Sequence, residues 1–375
     1  MCSEPSPAPD DNNNYKMKTW KKILTYAVRW LLPLALTVLL LSYMFRKVDF
    51  ADMWDIVTHG VDYWWILLAM AISVFSHVFR ALRWRIQLRS LGIRPPLMAL
   101  ICSIFGTYAL NLVFPRLGEI WRCTYIARRE HKPFTEVVGS MVADRLSDAV
   151  MVLSLTLLAF VVAAPAIEAF LVKYPVGQGL VDAFSNPWTW TLLFGGAALI
   201  WAILHFWRTC GPVSKALRWI GEMWHGFASV ISMKGKWAFA GYTFAIWGCY
   251  YFQLYVAFFA FPFTRGLCAE PSLGFGLAPC LVAFVLSSIG MAIPSNGGLG
   301  PWNIAIMFGL AVYGISDAEG TAFSMLQWSG QTVMLIILGI YTMIYIAFDK
   351  KERKETPGAA KMKGRAYRTQ LDQES

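Results

Sequence analysis

Charge is scarce in this sequence. Of its 375 residues, 15% are Asp, Glu, Lys or Arg and 57% are hydrophobic, where a soluble domain carries about 25% and about 45–50%. With a mean hydropathy of +0.48, that balance excludes an ordinary water-soluble enzyme and a disordered scaffold. Metal and redox patterns are missing too. The seven cysteines include no CxxC pair and sit mostly in apolar runs, as small buried hydrophobes do. The five histidines, His59, His77, His131, His205 and His225, are scattered without metal-ligand spacing. No Ser/His/Asp arrangement is placed at depth, and no cofactor or metal is expected. The net charge of +10 comes without the basic stripe and surface aromatics that nucleic acid requires. Membrane proteins reach such a charge by collecting Lys and Arg on cytoplasmic loops.

Long apolar runs are what the chain has in plenty. About 20 apolar residues cross about 30 Å of hydrocarbon. Charge-free runs place six crossings near residues 26–44, 62–80, 149–167, 183–207, 237–264 and 320–348. Two further stretches do not fit as simple spans. Residues 95–115 end in Pro115-Arg116-Leu117-Gly118-Glu119, a helix break followed at once by charges. Residues 271–316 carry no charge and would be about 69 Å long as one helix. They are interrupted by Pro294-Ser295-Asn296-Gly297-Gly298-Leu299-Gly300-Pro301, which no continuous helix accommodates. Both read as re-entrant hairpins, helix in and helix out with a break at depth.

The distribution of basic residues orients this layout. With both termini cytoplasmic, 27 of the 33 Lys and Arg fall inside and Arg46, Lys47, Lys173 and Arg265 fall outside, as the positive-inside rule requires. Arg29 and Arg145 lie within spans. The expected fold is therefore an all-α polytopic membrane protein of six full transmembrane helices plus two oppositely oriented re-entrant hairpins. Broken helices entering from opposite faces are the mark of an inverted repeat around a central substrate site. Localisation to the cell (inner) membrane follows.

The ends have a different character. Residues 1–18 open with MCSEPSPAPDDNNN, polar and acidic before any basic residue, which reverses a signal peptide and reads as a disordered cytoplasmic tail. The membrane domain then runs over 19–349, and 350–375 is a basic cytoplasmic tail suited to anionic headgroups. Within the domain, 212–233 carries apolar residues at three- and four-residue spacing between charges, an amphipathic helix for the membrane interface.

Charges inside a bilayer are costly, so each one is a functional candidate. One set is Arg116, Glu119 and Arg122, spaced i,i+3 on the returning arm of the first hairpin. The other is Asp144, Arg145 and Asp148, with the two acids sharing a face at i,i+4. The second set reads equally as an internal salt-bridge network. For Arg116 and Arg122 the favoured reading is a grip on a headgroup phosphate, which guanidinium groups hold bidentately. The SNGGLGP break is no P-loop, since no GK[ST] follows it. Asn296, Gly297 and Gly298 there offer backbone groups to a cavity. Asn303, Gln327 and Gln331 add neutral polar groups, as substrate contacts or as interhelical hydrogen bonds.

At these motifs the chain resembles the lysylphosphatidylglycerol synthase transmembrane, or flippase-like, family. The resemblance rests on PRLGEIWR (Pro115–Arg122), DRLSD (Asp144–Asp148) and IPSNGGLGPWN (Ile293–Asn303) in that order, and extends over about residues 20–348. It implies an inner-membrane relative of the lipid-translocating half of aminoacyl-phospholipid synthases, without their aminoacyl-transferase domain. Two positions depart from the family pattern: Asn303 stands where Glu is common, removing an ionisable group, and Asp144 replaces the more usual Glu. The expected function is translocation of a membrane phospholipid or lipid-linked substrate with an anionic headgroup. The alternatives are a membrane-embedded enzyme and an accessory subunit for a separately encoded lipid-modifying enzyme.

Overall fold

The computed structural model describes residues 60–164 and 235–349, with isolated positions elsewhere. The stretches expected near 26–44 and 183–207, the interfacial helix 212–233 and both tails lie outside the described residues, those isolated positions apart. Among the described residues there is no strand, and nine α-helices follow one another. They are α1 (Tyr63–Ser90), α2 (Leu97–Val113), α3 (Leu117–Arg129), α4 (Phe134–Val162), α5 (Lys236–Phe258), α6 (Pro262–Ala269), α7 (Leu277–Gly290), α8 (Pro301–Ala311) and α9 (Asp317–Phe348).

Of these, α1, α4 and α9 are long and apolar enough to cross a membrane. The α5–α6 pair, bent by 109°, makes a fourth if it is one span. These four coincide with expected crossings, but two begin or end elsewhere. The charge-free criterion closed the second crossing at Arg80, whereas α1 continues for ten residues past it. Asp144 was expected at the start of an apolar run and instead lies in the middle of α4. In both cases the charges are neutralised by neighbouring helices, so they do not end the helix.

Local signals explain where the helices start. Asp62 accepts from the Trp64 amide at the head of α1, a standard N-cap. Ser316 and Glu319 form a reciprocal capping box before α9. Both stretches expected to break do so: α2 turns at Phe114–Arg116 into α3, and α7 ends before a break at 291–300 that leads into α8. Gly118 allows the first return, because a Cβ there would lie 2.1 Å from the Thr107 carbonyl oxygen of α2.

Among the described residues, α1 turns a polar stripe inward while α4 and α9 turn apolar side chains outward. Leu153, Leu157, Phe160 and Val161 of α4, and Ile337, Ile340, Met343 and Ile344 of α9, are exposed. Meanwhile Ser73, Ser76, His77, Arg80, Arg83, Trp84 and Gln87 of α1 are all buried. Their three- and four-residue spacing makes one helical stripe, turned inward. A water-soluble bundle inverts that distribution. Two apolar cores flank the stripe. One joins α1, α5, α7, α8 and α9 around Phe258, Phe261 and Phe323; the other joins α1 to α4 around Trp84, Leu100 and Ile126.

A buried arginine cluster as candidate functional site

The buried stripe of α1 meets the acid pair of α4. Arg83 Nη2 lies 2.6 Å from Asp144 Oδ1 and 2.8 Å from Asp148 Oδ1. Arg80 Nη1 lies 2.9 Å from Asp148 Oδ2 and 3.5 Å from Asp144 Oδ2. Asp144 and Asp148 share a face as their i,i+4 spacing requires, and two guanidiniums straddle them. All four residues are buried.

Helix α3 adds a third arginine. Arg122, 1% exposed, stacks its guanidinium 4.6 Å from the Trp84 ring centroid. Trp84 is held in turn by its indole N–H, which donates to Ser140 Oγ at 2.9 Å. The nearest carboxylate to Arg122 is Asp144 at 3.7 Å, beyond hydrogen-bond reach. Its Nε and Nη2 have no hydrogen-bond partner among the described residues. At the rim, half-exposed Arg145 pairs with Glu119 and reaches Asp148 at 3.7 Å. Four guanidiniums, Arg80, Arg83, Arg122 and Arg145, thus face three carboxylates, Glu119, Asp144 and Asp148. Among the described residues one positive charge of this cluster is left over, and each acid is already engaged by an arginine.

Arg116 stands apart from this cluster. It is exposed, with φ 62°, and its Nη2 donates to the Ala292 carbonyl at 2.9 Å. The tip of the first hairpin is thereby tied to the break of the second. Leu112 packs there against Gly297, whose positive φ of 59° suits glycine. Asn303 is buried and its Oδ1 accepts from the Gly300 amide at 3.0 Å, capping α8. Trp328 donates to the Gly297 carbonyl at 2.9 Å from α9. Gln331, one turn along, donates to Ser73 Oγ of α1 at 2.9 Å, while Gln327 is buried with an unbonded Oε1.

The residues singled out in the sequence therefore separate into two neighbourhoods. Glu119, Arg122, Asp144, Arg145 and Asp148 are brought together, whereas Arg116, Asn296, Gly297, Gly298 and Asn303 gather at the junction of the two breaks. Arg80, Arg83 and Trp84 were missed, because Arg80 and Arg83 had been counted as loop charges. Arg122 and Arg129, counted likewise, are also buried; without these four, the count behind the expected orientation becomes 23 of the 33 against four. Arg129 instead ties α3 to the end of α9, its Nε 2.8 Å from Asp349 Oδ2. Burial works against its charge, but hydrogen bonds to Asp349 and Glu130 outweigh this and raise its pKa above the ordinary value.

No group of three or more His, Cys, Asp or Glu suited to a metal occurs among the described residues. What the cluster can do is accept an anion: a buried cationic fork has open donors, an aromatic floor and one uncompensated charge.

The Lysylphosphatidylglycerol synthase TM region family matches residues 30–339, and the chain belongs to that family. Over 138 residues it is 30% identical to Glycosyltransferase AglD of Haloferax volcanii. That stretch is 35% of this chain and 22% of that protein, so the match spans about a fifth of the relative's length. No solved structure matches the chain.

Proposed function

We propose that the protein translocates a lipid with an anionic headgroup, holding its phosphate at Arg122 and Arg145. The observation that carries this reading is Arg122, a buried guanidinium with open Nε–H and Nη2–H donors in a cluster holding one positive charge in excess. A buried arginine with open donors is costly unless an anion uses it. A phosphate oxygen pair is the acceptor that the planar fork matches. Arg145 and Glu119 at the half-exposed rim form the entry, where the incoming phosphate displaces the Glu119 carboxylate from Arg145. The bond between Arg116 and Ala292 supports two hairpins that enter from opposite faces and meet at depth. In this reading they form the moving parts of an inverted repeat, in the inner membrane with both termini cytoplasmic.

A second reading is favoured by the match to part of a protein named as a glycosyltransferase. There the chain is the membrane part of a system whose transferase is separately encoded, and the lipid is that enzyme's substrate or product.

The test is translocation of fluorescent phosphatidylglycerol and phosphatidylcholine in vesicles containing the purified protein, followed by dithionite quenching. The expected result is acceleration for phosphatidylglycerol, lost about tenfold or more in Arg122→Lys with unchanged thermal stability, since the lysine ammonium cannot reproduce the fork. Wild-type rates in Arg122→Lys would overturn the phosphate site.

A further inference from the structure

The outer side of α3 carries a cavity that the buried arginine cluster does not use. It lies between the end of α3 and the start of α4, has a volume of about 300 Å³, and is lined by Thr124, Ala127, Arg128, Lys132 and Phe134. Small-molecule sites run from about 300 to about 1,000 Å³, so this one has room for a phosphate group but not for a whole lipid. Two cations and no carboxylate line it.

The backbone explains why the two cations meet. Helix α3 ends in a Schellman turn: the Lys132 amide donates to the Ala127 carbonyl at 3.0 Å, and the His131 amide to that of Arg128 at 3.4 Å. His131 takes the left-handed conformation this requires, with φ 51°. The chain is thereby folded back and Lys132 returns beside the last turn of the helix. Arg129 is buried and held by Asp349 and Glu130. Arg128 and Lys132 are exposed, and neither is in an ion pair among the described residues. Cations at a helix C-terminus are ordinary; here they share a cavity with the opposite pole of a second helix. Pro133 precedes α4 and gives it no side-chain cap, so the positive end of a 29-residue helix opens beside the same cavity. Glu136 is the acid of that first turn, and it does not line the cavity.

An apolar track leads away from this anion-attracting corner. Ile120, four residues before Thr124 on the same face, is 46% exposed, and Val113 and Phe114 at the preceding break are exposed as well. Eight residues of helix put Ile120 about 12 Å from Arg128 along the axis. A water-soluble anion has no use for such a track, whereas an acyl chain does. We propose that the cavity holds the phosphate of an anionic phospholipid that stays bound outside the first hairpin. Its headgroup lies on Arg128 and Lys132, and one acyl chain runs along Ile120. The site is separate from the phosphate grip at Arg122, which is buried on a different face of α3, and it stands whether or not that grip exists.

The experiment is photo-crosslinking of the purified full chain in phosphatidylcholine vesicles, using trace phosphatidylglycerol or phosphatidylcholine with a diazirine on one acyl chain. Peptide mapping reads the yield on residues 113–134. The phosphatidylglycerol probe is expected to label this stretch several times more than the phosphatidylcholine probe. Arg128→Gln with Lys132→Gln should abolish that excess, and Thr124→Leu, which fills the cavity without changing charge, should lower it. Arg89→Gln with Arg94→Gln removes the same charge from other exposed positions and should keep the yield within about twofold, as should Arg122→Lys. Dihexanoyl phosphatidylglycerol should compete at least about tenfold better than glycerophosphoglycerol or inorganic phosphate. Equal labelling by the two probes overturns the proposal, as does an excess that survives in the Arg128→Gln, Lys132→Gln protein. An equal loss in the Arg89→Gln, Arg94→Gln control would reduce the effect to bulk charge. An equal loss in Arg122→Lys would merge the two sites into one, and equal competition by inorganic phosphate would make the ligand a free anion; each of these also overturns it.

Discussion

Arg83 and Asp144 meet at 2.6 Å across α1 and α4, with neither side chain exposed. Removing one member of such a pair leaves an uncompensated buried charge, at a cost of about 3–5 kcal/mol. Asp144→Asn should therefore unfold at a much lower temperature in detergent. Glu119→Gln breaks a pair whose partners are 20% and 39% exposed, where about 1 kcal/mol or less is at stake. Equal melting temperatures for the two variants would mean that the cluster is wetter than its burial implies.

Arg116 should separate from Arg122 in function. One of its donors goes to the Ala292 carbonyl and it stands outside the cluster, so in the proposed reading it adds little to the grip on the headgroup. Arg116→Lys is expected to bind phosphatidylglycerol within about twofold of wild type, while Arg122→Lys loses about tenfold or more, the worth of one charge-assisted bond. Binding affinity in detergent checks this, and an equal loss in both would return Arg116 to the headgroup site.

Two glycines offer a contrast in packing. A Cβ on Gly118 would meet the Thr107 backbone at 2.1 Å, whereas one on Gly139 in α4 would meet nothing within 4 Å. Gly118→Ala should force α2 and α3 apart and abolish a monodisperse preparation. Gly139→Ala should be neutral or stabilising by up to about 1 kcal/mol, the difference in helix propensity. Chromatographic profiles and melting curves of the two purified proteins decide it.

The helical character of the chain, three of its candidate crossings and a fourth if α5 and α6 are one span, and the positions of the two helix breaks were legible in the sequence, because apolar length and Pro or Gly breaks act locally. The acid pair was legible as well, since i,i+4 spacing puts Asp144 and Asp148 on one face whatever surrounds them. Their partners were harder to see. Arg80 and Arg83 follow an apolar run directly, and a hydropathy criterion ends a span at the first charge. The available signal was the three- and four-residue spacing of Ser73, Ser76, His77, Arg80, Arg83, Trp84 and Gln87, which marks a single inward face. The separation of Arg116 from Arg122 was not legible. Their six-residue spacing suggested a shared face, but the left-handed backbone at Arg116 places it before α3 begins.

Orientation in the membrane rests on the basic-residue count, and α1 provides a ruler for testing it. At one end Asp62 lies 3.6 Å from Arg265, and its amide donates to the Ala260 carbonyl. The other end carries exposed Arg89. Twenty-eight residues of helix separate the two ends by about 42 Å, enough to cross the hydrocarbon. With cytoplasmic termini, Arg265→Cys should react in intact cells with an impermeant thiol reagent, and Arg89→Cys should react only after the membrane is opened. The native thiols described close to this surface are no obstacle: Cys268 and Cys280 are both buried, and labelling of the unsubstituted protein sets the background. Labelling of Arg89→Cys alone in intact cells would invert the whole arrangement. The arginine-rich ends of α1 and α3 would then face outward, and the rim formed by Arg145 and Glu119 would take lipid from the outer leaflet.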